Sequence, residues 1–424
     1  MNNARNSARI AMRLVLVILT PACCLVAARQ ASAQQQPAAQ QVAAGRTGWP
    51  RFLGPGGDGV AATASLPAEL TQASRSWSVD LPGRGLSGVL VAGGKLVVTC
   101  SSGPEQSRLH VVCLDTADGH TLWHRQFRAT GRTMCHAKTS VAAATPCTDG
   151  VRIFAAFSSN DVACLDFDGN LLWLRGITSD YANVSNSLGM ASSPVATDGT
   201  LVLQVENDSE SYALGLDAAT GANRWKIERP KAANWTSPAV LRSDLVALQS
   251  KTGIDAVRVA DGSVAWSYGD GASTIPSSCL HGGVLCVPSH GITALAVEAV
   301  EAGAQPKQLW RSNRLSPGTA SPIAVGDTVL AISKGDVLTA GSLATGERLW
   351  QLRVEGPFSA TPVSDGSRVA CVNEKGLVQL VDITGAEPKL VSSLDLADEI
   401  LASPALADDG LYLRSNTKLY KLGR

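Results

Sequence analysis

Apolar and polar positions alternate in short runs along most of the chain, and the runs break at turn-forming residues. Residues 193–203 (Ser-Pro-Val-Ala-Thr-Asp-Gly-Thr-Leu-Val-Leu) set Asp198-Gly199 between two alternating segments, a strong β-hairpin sign. Comparable units begin at Ser237-Pro238, Ser321-Pro322, Thr361-Pro362 and Ser403-Pro404. A second strand pair follows each, with a glycine turn and then tryptophan, as in Asp217 to Gly221 to Trp225 or Asp166 to Gly169 to Trp173. Glycine supplies a positive φ at such turns without steric cost.

The tryptophans keep a register. Trp77, Trp123, Trp173, Trp225, Trp266, Trp310 and Trp350 recur at intervals of 40 to 52 residues, and a degenerate copy falls at Leu390 or Val391. Four short strands per repeat of this length is the period of a propeller blade. The pattern predicts an all-β fold, an eight-bladed β-propeller of four-stranded antiparallel blades, bounded near 78–123, 124–173, 174–225, 226–266, 267–310, 311–350, 351–391 and 392–424 plus 68–77. The N-terminal strand around Trp77 is expected to complete the last blade, so that no edge stays free. Each tryptophan is expected to lock its blade against the next.

Composition narrows the function. Lys+Arg 36 balances Asp+Glu 36 in a chain with 17% charged residues, which argues against a nucleic-acid partner. Arg5, Arg9 and Arg13 precede an apolar run that ends at Ala31-Ser32-Ala33, the layout of a cleaved secretory signal. The organisation expected is a signal peptide over 1–33, an extended lead-in over 34–67 and the propeller over 68–424. The chain is expected to be exported, periplasmic or secreted, monomeric, and without a transmembrane segment after cleavage. In such a compartment Cys279 and Cys286 are disulfide candidates, because Gly282-Gly283 forms a two-residue turn that sets them opposite each other. Buried free thiols are the alternative reading.

The pattern Asp-x-x-Thr-Gly-x-x-x-Trp, complete over Asp217 to Trp225, and the segment Trp49-Pro50-Arg51-Phe52-Leu53-Gly54-Pro55 resemble the tryptophan-docking repeat and lead-in of PQQ-like (pyrroloquinoline-quinone-type) propellers. That family includes quinoprotein dehydrogenases, an outer-membrane assembly factor and non-catalytic members. The resemblance makes PQQ and calcium possible cofactors, but no calcium ligands or catalytic Asp map onto this chain, and its adjacent cysteines, Cys23-Cys24, lie in the signal. The function expected is a non-catalytic scaffold that binds envelope proteins or a small ligand at the funnel mouth. A PQQ-dependent alcohol or sugar oxidoreductase with a reduced site is the alternative, and an outer-membrane assembly module another.

Two sets of residues are candidates for that mouth. Trp235 is out of register with the other tryptophans and is a cofactor-stacking candidate, with plain packing as the alternative. Lys138, Lys251, Lys334, Lys375 and Lys418 sit on loops expected at the same end and form a candidate binding rim, opposed by an acidic loop over Glu206–Glu210. Exposed lysine is ordinarily just solvated. Gly54 to Gly59 formally matches G-x-G-x-x-G but follows no strand and opens no helix. His120 and His124 straddle a turn, where their spacing does not converge ligands.

Overall fold

The computed structural model describes residues 48–184, 188–301, 303–407 and 410–423. Among these, the chain forms eight four-stranded antiparallel sheets and no α-helix. Blades 1 to 7 span 90–128, 147–176, 195–228, 239–268, 279–312, 323–353 and 363–395. The eighth sheet holds three strands from 405–422, with Arg75–Asp80 as its fourth, paired to Lys418–Leu422. Innermost strands lie side by side around the ring, and Leu90–Ala92 of blade 1 contacts Ala405–Ala407 of blade 8. The signal reading, with its cleavage at Ala33, lies outside the described residues.

Apolar side chains from facing sheets form the core between blades, which is why the two middle strands of each blade are buried along nearly their whole length (Thr200–Val205 and Tyr212–Asp217, for example). The outer strands are more exposed, and in blades 2 and 3 the tryptophan is their one buried position. The indole N–H of Trp173 donates to the Ala218 carbonyl of the next blade (3.1 Å), that of Trp225 to Val259 (2.8 Å) and that of Trp310 to Leu343 (2.7 Å). Trp77 and Trp123 make the same reach. The ring lies flat on the following turn: a Cβ on Gly221 (φ +72°) would sit 2.8 Å from Trp173. Only glycine satisfies both the dihedral and the space.

Trp266 and Trp350 differ. The Trp266 indole N–H is buried with no partner among the described residues, and Trp350 is half-buried. Their next-blade connections carry no glycine stacked on the ring: Gly303 has nothing within 4 Å, and Gly385 meets only Glu387.

The described part of the lead-in holds a run of turns over Phe52–Gly57. It crosses beneath the channel at the downstream ends of the inner strands. Trp49 exchanges backbone bonds with Val91 of blade 1, and the Pro50 carbonyl accepts from Thr148 of blade 2. The Gly57 and Asp58 carbonyls accept from Leu280 of blade 5 and Ala324 of blade 6. Asp58 also pairs with His281 at 2.9 Å.

Candidate functional site

Two residues before each innermost strand, the chain turns toward the axis. Those positions are Gly88, Thr145, Ser193, Ser237, Ser277, Ser321, Thr361 and Ser403. Seven of these backbone N–H groups donate to the side-chain hydroxyl of the next blade: Gly88 to Thr145 (2.9 Å), Thr145 to Ser193 (3.0 Å), Ser193 to Ser237 (2.9 Å), Ser237 to Ser277 (3.0 Å). Ser277 to Ser321 (2.9 Å), Ser321 to Thr361 (3.1 Å) and Thr361 to Ser403 (3.0 Å) continue the ring. The proline that follows most of these residues fixes the approach into the strand. The ring is interrupted once, at Gly88, which has no hydroxyl to accept the Ser403 amide. That joint is held instead by fully buried Arg414, whose guanidinium reaches Ser87 and the Cys100 thiol across the seam.

Inside this ring lies a cavity of about 230 Å³. Phe52 of the lead-in lines it from below, and Leu86, Trp235, Ile275, Leu401 and Lys138 line it toward the mouth. Trp235 is half-buried, with its indole N–H donated to the Gly189 carbonyl at 2.8 Å. It therefore offers the mouth a ring face and no free donor.

Beneath Trp235 sits a charged network. Glu206 and Arg229 are buried and paired at 2.7 Å, Arg229 also bonds Asp255, and Asn234 donates to Glu206 at 2.8 Å. Burial pushes the Glu206 carboxyl up against the pull of Arg229. Glu206 is thus part of the support for the Trp235 loop, where the acidic-loop reading had set it on an exposed rim. Arg229 and Asp255 have no sequence signal, because each reads as an ordinary surface charge near a strand end.

The lysines do not converge. Lys138 alone lines the cavity, and it bonds both oxygens of Glu374 (2.8 and 3.1 Å), a pair from the loops of blades 2 and 7. Burial works against ionisation of Glu374, but Lys138 and Ser359 outweigh it and hold its carboxyl below the usual range. Lys251 lines a separate groove with His290 and donates to the Lys231 carbonyl, and Lys418 stands 4.0 Å from Asp80. Lys334 and Lys375 are exposed on their loops. Cys279 and Cys286 are directly opposite across a turn with Gly282 and Gly283 at positive φ; both are buried free thiols, hydrogen-bonded to each other and not joined in a disulfide. His120 pairs with Asp118, and His124 bonds His110 at 2.8 Å, with Ser102 on the far nitrogen of His110.

The cofactor chemistry implied by PQQ-like relatives needs calcium, an oxygen-seeking cation, and a carboxylate base. The residues here do not fit it: hydroxyls, apolar groups and one ammonium line the cavity, with no carboxylate. Among the described residues, no three His, Cys, Asp or Glu side chains converge as a metal site.

A family model described as outer membrane protein assembly factor BamB matches residues 29–268, 184–303 and 294–413. The chain belongs to this PQQ-like propeller family. No curated protein sequence matches it. Among solved structures, BamB from Moraxella catarrhalis superposes with a TM-score of 0.62 at 15% identity, over 82% of this chain and 96% of that one. A europium-containing methanol dehydrogenase gives 0.64 at 14%, over 87% and 89%. The quinohemoprotein alcohol dehydrogenase from Comamonas testosteroni gives 0.64 at 12%, over 88% and 80%. The assembly factor and the dehydrogenases thus share the fold, and at these identities the likeness speaks for fold alone. No described helix is long and apolar enough to cross a membrane.

Proposed function

We propose that this protein is an exported, non-catalytic scaffold of the cell envelope that engages a partner protein or small ligand at the channel mouth. One observation carries the reading: the channel is backed by the lead-in and flanked at its mouth by exposed Ile275, half-buried Trp235 and Lys138, with no titratable pair for acid–base work among its lining residues. Apolar groups beside a single charge suit recognition better than turnover. Membership in the BamB-like family supports a protein partner. Export also favours a Cys279–Cys286 disulfide, supported by their cross-strand register.

Crosslinking followed by purification from the native envelope tests the scaffold reading. An envelope protein captured by the wild type and lost with Ile275→Glu supports it. Failure to capture any, or capture untouched by the substitution, refutes a protein partner at the mouth.

A further inference from the structure

The hydroxyl ring retains capacity that its role between blades does not use. A hydroxyl carries one proton and two lone pairs. In Thr145, Ser193, Ser237, Ser277, Ser321, Thr361 and Ser403 the oxygen accepts a backbone N–H from the preceding blade. No bond is formed in which any of these hydroxyls donates to another described group. All seven line the cavity, and the first six are only 3–7% exposed. Each hydroxyl is satisfied as an acceptor and keeps a proton to donate into the cavity, where a ligand acceptor can meet it. Lys138 is the one charged side chain in the lining.

We infer that the channel is a receptor for a small oxyanion, carboxylate or phosphate, carried on an apolar body. The oxyanion accepts from the ring hydroxyls, and the apolar body packs between Trp235, Ile275 and Leu401. Lys138 exchanges Glu374 for the ligand. Donors without any lining carboxylate complement a group that only accepts, and charge-assisted bonds are the stronger kind. A cavity of about 230 Å³ lies below the roughly 300–1,000 Å³ of drug-sized pockets, so the occupant is small. The inference rests on the mouth being a binding face.

Isothermal titration of the full chain with benzoate and, separately, with inorganic phosphate tests it. Saturable binding of either one is expected, and the one that binds identifies carboxylate or phosphate as the group recognised. Lys138→Gln weakens that binding about tenfold or more with an unchanged melting temperature. Ser237→Ala with Ser277→Ala weakens it while Lys138 is intact. No saturable heat with either anion, or a Lys138→Gln protein that binds like wild type, overturns the inference. Partner capture is scored on the same preparations: anion binding without capture removes the protein partner and leaves a small-ligand mouth, and capture without anion binding overturns this inference alone.

Discussion

Two rings hold the propeller, and they differ in what they leave over. The outer ring joins blades by tryptophan on glycine. At Trp173 the indole is buried, its N–H is bonded to Ala218, and Gly221 lies against its face. Nothing at that joint remains for a ligand. The inner ring joins the same blades by amide to hydroxyl, and every hydroxyl keeps its proton. Stability is concentrated at the rim, and unused recognition capacity at the axis.

The largest effects are expected at the outer ring. Trp173→Ala costs about 3–5 kcal/mol, and Gly221→Ala at least about 2 kcal/mol, because alanine meets both a left-handed dihedral and the indole. Denaturant midpoints measure both, and a Gly221→Ala protein as stable as wild type would break the glycine-backed joint. Next comes the inner ring. Ser237→Ala leaves the Ser193 amide without its acceptor and costs about 1–3 kcal/mol; a neutral change would show that the amide finds another partner and that the ring holds nothing together.

Acid should act on blade 1. Burial, then His124 and Arg108, push His110 down to about 4 from its ordinary 6.5. The unfolded chain therefore takes up a proton that the folded one refuses, so stability is full above about pH 6.5 and falls as pH drops toward 4. His110→Gln flattens that limb of the stability curve; an unchanged limb would assign it to other groups. The smallest effect separates the two kinds of outer joint. Trp266 has an unbonded indole, so Trp266→Phe removes an orphaned donor and costs less than Trp173→Phe, which leaves the Ala218 carbonyl with only the long Cys164 thiol contact. Equal costs would erase the distinction.

Much of this architecture was legible in the sequence. The tryptophan period and the Asp-Gly turns encode local geometry, so blade number and order follow from them. The joints at Trp266 and Trp350 depart from the repeat because the next blade lacks the stacking glycine, a contact between residues far apart in the chain. The inner ring was half visible, as Ser-Pro and Thr-Pro pairs; its role was hidden because each hydroxyl serves the neighbouring blade. Four lysines at like positions, with Lys138, read as a rim, yet of the five only Lys138, on the long connection from blade 1 to blade 2, reaches the cavity. Glu206 and Arg229 read as surface charges because their burial depends on neighbours in two blades.

Binding at the mouth without quinone redox chemistry leaves PQQ no site in the channel. Titrating the purified protein with PQQ and Ca²⁺, followed by dye reduction with alcohols or sugars, tests it most directly. Neither stoichiometric tight binding nor substrate-dependent reduction is expected. Tight one-to-one binding with alcohol-dependent reduction, lost in Trp235→Ala, would contradict it.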